Sequence, residues 1–463
     1  MNGPKKNKSF FIFGLGVSGL SAALFLKKQS QSIFCWDDDL KKRIKATQKK
    51  LNIDNYNTVN FKKVDYIITS PIINHRNNNI SPIIEKAKKS KVKIISDLEL
   101  IEIFNLKNLK IGVTGTNGKS TTTKFIQSSL FLKKKKVIAC GNIGLPIGDV
   151  IKKSCSNDIF VVEASSFQLD KIFSLKFDIS ILLNISKDHI DWHGSFKNYK
   201  DSKIKIFSNQ DKNCFSIICI DDNSCKKIAL NFNKKFSSKL IKISTKQKLK
   251  DGIYLEYQKE GILIINKLNN EKIFFDYKMI KFTKVKHNFE NFLATYAVNF
   301  LLKKNEKQFK NSLKKLFSLE HRLELVGNLK NIFFYNDSKA TNIESSRNAL
   351  NSFKNIYWIL GGRKKLGGLD GIDSSLKNVE YAFSFGEAGK EFKEYLTKKG
   401  IKSICFNKLE SVLLAAVKKA LKEKGNINVI FSPACSSFDQ YKNFEQRGNK
   451  FKSLVNGIIK SAG

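Results

Sequence analysis

A chain of 463 residues with 41% apolar side chains has material for roughly three domains, each with its own core. It carries 83 basic against 41 acidic side chains, a formal charge of +42, but the lysines are scattered (KKNKS, LKKKKV, NFNKKF, KEYLTKK) without an RNA-recognition signature, zinc spacing or basic coiled coil. The charge therefore reads as a general lysine bias that argues against a nucleic-acid partner. Arginine is nearly absent: Arg43, Arg76, Arg322, Arg347, Arg363 and Arg447 remain, each a candidate for a planar, bidentate donor. Eight cysteines fall in no CxxC or zinc-ligand spacing, which points to reduced, buried thiols and a cytoplasmic protein.

The N-terminal stretch KKNKSFFIFGLGVSGLSAALFLKK imitates a signal peptide or short membrane span. Its glycines argue otherwise, because Gly14, Gly16 and Gly19 form GxGxxG between a strand-like SFFIF and a helix-like LSAALFLKK. The next apolar strand, SIFCW, ends in Asp37, Asp38 and Asp39, where the acidic partner of a nucleotide fingerprint is expected. VDYIITS, SPIIEKAKKSK and VKIIS then complete a small α/β unit, predicted to span residues 1–97.

LKIGV, KVIAC, IFVVE, ISILLN and FSIICI follow, each a candidate buried strand closed by a polar or glycine-rich turn. They define a larger α/β domain over residues 98–317, ending in a helical stretch near 287 to 317. The strands restart in NIFFYND, IYWILGG, YAFSFG and NVIFSPA, a third domain over residues 318–463. The expected fold is α/β in three domains: a Rossmann-like N-terminal domain, a central mononucleotide (P-loop) ATPase-like domain and a Rossmann-like C-terminal domain.

The strongest chemical signal is GVTGTNGKST, residues 112–121. Gly115 and Gly118 let backbone N–H groups face phosphates, Lys119 offers a point charge to the β- and γ-oxygens, and Ser120 offers a hydroxyl to Mg²⁺. Gly-x-x-x-x-Gly-Lys-Ser/Thr counted back from Gly118 lands on Val113, so the loop is not the standard one. Glu163 closes IFVVE, a strand end where α/β sheets bind ligands. NISKDHIDWHGS places His189 and His193 in a loop after another strand, as ligands or as satisfied structural histidines.

TGTNGKST resembles the ATP loop of the Mur ligases and their folylpolyglutamate synthetase relatives. The resemblance implies that Gly115, Thr116, Asn117, Gly118, Lys119 and Ser120 bind ATP, and that Ser120, Glu163 and His189 hold magnesium at two sites. It also implies that Lys203, in YKDSKIKIFS, is carbamylated into an anionic metal-binding group. KHNFENFLAT resembles the family's His-Asn-x-x-Asn helix start and puts Asn291 near ATP.

In the third domain HRLE, NDSKATN and SPACSSFDQYKNFEQRG look like the members of that family that add D-glutamate to UDP-N-acetylmuramoyl-L-alanine. Arg322 and Asp337 would then reach ATP, with a hinge near residues 317 to 321. Lys339, Thr341, Ser437, Phe438 and Phe444 match positions around D-glutamate, and GGRKKLGG supplies a further lysine, Lys365 in preference to Lys364. The glycine-rich turn would bind UDP, with Val17, Ser18 and Asp37 on the uridine side and Asn142 on the muramoyl side. These are the expected small-molecule partners of a monomer with no membrane insertion. A folylpolyglutamate synthetase-like ligase is the alternative, but it should lack a domain built around GLGVSG. An NAD-dependent reductase would leave TGTNGKST without a role.

Overall fold

The computed structural model describes residues 7–71, 73–74, 81–130, 135–277, 288–304, 306–313, 320–365 and 367–462. Residues 317–319 of the expected hinge, and His287 of the expected helix start, lie outside them. The chain divides into two compact units, Met1–Met279 with Glu290–Leu316 and Phe317–Gly463 with Ile280–Phe289.

The first unit holds two sheets. β1 (Ser9–Phe13), β2 (Ser32–Trp36), β3 (Tyr66–Thr69) and β4 (Lys93–Ile95) make a parallel sheet in the order β2-β1-β3-β4. Phe10, Phe11 and Ile12 are fully buried because β1 is an inner strand covered on both faces. The glycine turn then leads straight into helix Val17–Lys28. Gly14 has φ +98°, and a Cβ there would lie 2.7 Å from Ser70 Cβ, so the turn can press against the chain leaving β3 only as glycine.

The second sheet comprises β5 (Leu109–Thr114), β6 (Val137–Gly141), β7 (Ile159–Glu163), β8 (Ile179–Leu182), β9 (Phe215–Cys219), β10 (Lys239–Ser244), β11 (Ile253–Tyr257), β12 (Gly261–Asn266) and β13 (Glu271–Asp276). Its order is β13-β12-β11-β10-β9-β8-β5-β7-β6, parallel from β6 to β11 and antiparallel beyond. Helix Ile147–Lys153 of this layer shares a core with helix Val17–Lys28, through Leu20, Phe25, Ile147 and Ile151.

The second unit has one sheet, β14 (Glu324–Leu329), β15 (Ile332–Asn336), β16 (Ile356–Gly361), β17 (Val379–Phe385), β18 (Lys402–Phe406) and β19 (Ile427–Phe431). The order is β14-β15-β19-β16-β17-β18, with β14 alone antiparallel. The strands read from continuous apolar runs are all present. β10 to β14 and β18 are not among the strands read from the sequence; β10, β13 and β18 interleave charged or polar residues with apolar ones, as in KLIKIS, EKIFFD and KSICF, whereas β12, GILIIN, is an apolar run left out of that reading.

Candidate functional site

The phosphate loop joins β5 to helix Lys119–Ser129. Gly118 stands at its N-cap with φ +84°, where a Cβ would meet Asn291 Oδ1 at 2.3 Å. That carboxamide oxygen accepts from Thr122 Oγ1 at 3.1 Å, so Asn291 is fastened to the first turn of the helix. The loop is anchored from the other side by Asn184, just past β8: Thr116 N donates to its carbonyl and Asn117 N to its Oδ1, both at 2.8 Å. Asn184 was not singled out from the sequence, where its only signal is a polar residue closing ISILLN. Ser120 is buried in the first helical turn, and a helix N-terminus suits an anion.

Strand register carries Glu163 to this loop, since Glu163 pairs with Val113 of β5 and with Gly141 of β6. Asn142 Nδ2 donates to Glu163 Oε1 at 2.7 Å. The other carboxylate oxygen, Oε2, is buried with no hydrogen-bond partner among the described residues. An orphaned anionic oxygen beside a phosphate loop fits a divalent cation.

Lys203 lies at the end of helix Phe196–Ile204, which Ser195 caps by accepting from Asn198 N. It is 1% exposed, and its Nζ donates to Gly115 O at 2.7 Å. Lys119 Nζ donates to the same oxygen at 2.8 Å and to Thr116 O at 2.7 Å. Burial, and then the charge of Lys119, push the Lys203 amine well below the usual lysine range, against weaker opposite effects of Asp188 and Glu163. Its neighbour Tyr199 bonds Thr116 Oγ1 at 2.9 Å.

His189 is partly exposed, with φ +52°, and opens the short helix Ile190–His193. Its Nε2 lies 3.5 Å from Asp188 Oδ2 and its ring stands edge-on to Phe167. His193 is not in a loop but ends that helix. It is buried, with Nε2 3.0 Å from Ser166 Oγ and its ring stacked on Phe167, a satisfied structural histidine. The first unit thus gathers Lys119, Ser120, Asn291, Glu163, Asn142 and Lys203 around one loop, with His189 beside Asp188.

At the other sheet Val17 is 78% exposed at the mouth of the glycine turn, with Ser18 next to it. Asp37 is buried under the turn: Oδ2 accepts from Leu15 N at 2.6 Å and Oδ1 from Asp39 N at 2.9 Å. Asp39 caps helix Leu40–Gln48, and Asp38 accepts from Trp36 Nε1.

In the second unit Asp337 is buried, accepting from Ser432 Oγ at 2.7 Å and Leu323 N at 3.3 Å. Burial pushes its carboxyl up to about 7, partly opposed by the Ser432 hydrogen bond and Arg322. Lys339 Nζ lies 5.0 Å above the Phe444 ring, and Thr341 N bonds Lys339 O. Ser437 is buried, whereas Phe438 is exposed. Arg447, wholly buried, donates to Ser338 Oγ and to the carbonyls of Ser338, Cys435 and Ser436. A cavity of about 450 Å³ is lined by Lys364, Lys365, Asp370 and Glu391, among others. Lys364 is already paired with Glu391 at 2.6 Å.

Residues 113–299 match the Mur ligase middle domain. Across its length the chain is 35% identical to the UDP-N-acetylmuramoylalanine--D-glutamate ligase of Rickettsia prowazekii (strain Madrid E), covering 98% of this chain and 99% of that protein. It is 34% identical to the ligase of the same name from Wolbachia pipientis wMel, covering 98% and 97%. Among solved structures it resembles UDP-N-acetylmuramate-alanine ligase MurC from Thermotoga maritima, with a TM-score of 0.57 and 15% identity over 98% of this chain and 100% of that one. MurF ligase from Thermotoga maritima, solved in complex with ADP, gives a TM-score of 0.57 and 15% identity over 88% and 98%. At that identity the likeness concerns the fold. The middle-domain match and the full-length relatives place the chain in the Mur ligase class. Within it, the chain belongs to the family of UDP-N-acetylmuramoylalanine--D-glutamate ligases.

Proposed function

We propose that this chain is an ATP-dependent ligase that joins D-glutamate to UDP-N-acetylmuramoyl-L-alanine in peptidoglycan precursor synthesis. The observation that carries the reading is the full-length likeness to ligases of that name, on a chain whose phosphate loop faces the orphaned Glu163 carboxylate.

A carboxylate is a poor acyl donor. In the proposed reaction a carboxylate oxygen of the muramoyl-alanine attacks the γ-phosphorus of ATP and ADP leaves, giving an acyl phosphate. Gly115, Thr116, Asn117, Gly118, Ser120 and the helix start hold the phosphates, Lys119 offsets charge on the transferred group, and Asn291 sits on the nucleotide side. The amine of D-glutamate then attacks the acyl carbonyl, and the tetrahedral intermediate collapses to the amide with loss of phosphate.

Magnesium, held by Ser120, Glu163, His189 and a carbamylated Lys203, would neutralise phosphate charge when bound. The Lys203 environment suits that modification, because burial and then the charge of Lys119 favour the unprotonated amine, the form that adds to carbon dioxide. The carbamate would turn the repulsion from Lys119 into attraction. Val17, Ser18 and Asp37 take the uridine side and Asn142 the muramoyl side. Lys339, Thr341, Lys365, Ser437, Phe438 and Phe444 take D-glutamate, with Arg322 and Asp337 contributing to ATP. The eight cysteines stand free, which fits a reducing, cytoplasmic compartment.

The test is phosphate release from Mg-ATP with UDP-N-acetylmuramoyl-L-alanine and either D- or L-glutamate, with product mass checked. The reading expects turnover with the D isomer alone. Turnover with neither, by folded protein that binds ATP, would overturn it.

A further inference from the structure

Lys171 stands outside every role assigned above. It follows the short helix Ser166–Leu169 in the layer of the larger sheet and is 3% exposed. A lysine buried so deeply needs partners for three N–H donors. All three go to one segment of the other sheet: Nζ donates to Thr69 Oγ1 at 2.8 Å, Ile73 O at 2.8 Å and Ser70 O at 3.2 Å. The same segment is tied a second time, by Asn74 Nδ2 donating to Trp192 O at 2.8 Å.

The segment is the one that meets the glycine turn. Ser70 N donates to Phe13 O, and Ser70 Cβ occupies the space that a side chain on Gly14 would need. Burial pushes the Lys171 amine down to about 7, opposed by the charges of Asp170 and Asp97. Neither is bonded to its Nζ, whose hydrogen bonds all go to the loop. An apolar side chain would fill this position without the cost of desolvating a cation, so a lysine here points to the loop as its purpose.

We infer that Lys171 is a positioning residue for the nucleotide end of the substrate, holding Thr69, Ser70 and Ile73 against the glycine turn and so setting the surface on which the UDP diphosphate rests. This rests on the reading of that turn as the UDP site.

The test compares steady-state constants of the wild type, Lys171→Met, Lys171→Arg and Thr69→Val, with thermal unfolding of each. For Lys171→Met the KM for UDP-N-acetylmuramoyl-L-alanine should rise about tenfold or more, while the KM for ATP and kcat stay within about threefold. Lys171→Arg should recover much of the loss, and Thr69→Val should shift the same KM by a smaller factor. Should Lys171→Met fail to fold, Thr69→Val decides by the same split. An unchanged KM for the UDP substrate, or a parallel loss in every constant, would overturn the inference and leave the ligase reading standing. A wild type that does not turn over the UDP substrate would remove both.

Discussion

Lys119 and Lys203 donate to one carbonyl oxygen, that of Gly115, at 2.8 and 2.7 Å. Two ammonium groups sharing one acceptor in a buried site repel each other, and Lys203, wholly enclosed, is the one whose proton is loosened. That asymmetry favours the unprotonated amine on Lys203, the form a carbamate is made from. Lys203→Ala should abolish turnover, and short carboxylic acids should restore part of it by supplying the missing anion. Loss without rescue, or no loss, would count against the carbamate.

Lys119→Ala removes the charge that faces the transferred phosphoryl group. We expect kcat to fall about 10²-fold or more, with thermal unfolding little changed. Substantial turnover by this variant would take the loop out of the reaction.

Glu163→Gln keeps an acceptor for Asn142 and removes the charge behind the orphaned oxygen. The magnesium concentration for half-maximal rate should rise at least about tenfold, without loss of fold. A titration identical to the wild type would place the metal elsewhere.

Arg447 is a structural keystone of the second unit. Its guanidinium donates to one hydroxyl and three carbonyl oxygens and is fully buried. Arg447→Ala should destabilise this unit by about 3 kcal/mol, because those acceptors lose their donors inside the core. Urea unfolding measures it, and a change below about 1 kcal/mol would contradict the assignment.

Asp337 predicts a pH dependence. Burial raises its carboxyl from 3.8 to about 7 in the folded chain, so between those values the folded state holds a proton that the unfolded state has released. Stability should therefore fall as pH rises through that window, by on the order of a few kcal/mol, and recover on acidification. In Asp337→Asn this part of the slope should vanish. Urea midpoints of the two proteins measured from pH 5 to 7.5 make the comparison, and parallel curves would refute it.

Much of the architecture was legible because parallel strands buried on both faces read as apolar runs, as SFFIF and IFVVE do. The phosphate loop was legible for a similar reason: backbone that wraps an anion needs glycine and lysine at fixed spacing. What escaped was structure made by partners distant in sequence. Asn184 looks like any strand-end asparagine until its carbonyl and amide are seen anchoring Thr116 and Asn117. Lys171 is hidden in a lysine-rich chain, since only the fold brings Thr69, Ser70 and Ile73 around its amine. Asp37 was legible as a residue but not in its contact, a bond to Leu15 N that shapes the turn from beneath.

The account turns on an acyl phosphate made from the muramoyl carboxylate, and isotope transfer tests that step most directly. UDP-N-acetylmuramoyl-L-alanine labelled with ¹⁸O in its carboxylate is turned over with unlabelled ATP and D-glutamate, and the released phosphate is weighed by mass spectrometry. The account predicts one ¹⁸O atom in each phosphate, because the attacking oxygen stays with phosphorus when the amide forms. Phosphate free of label, with the labelled amide formed at full rate, would contradict it.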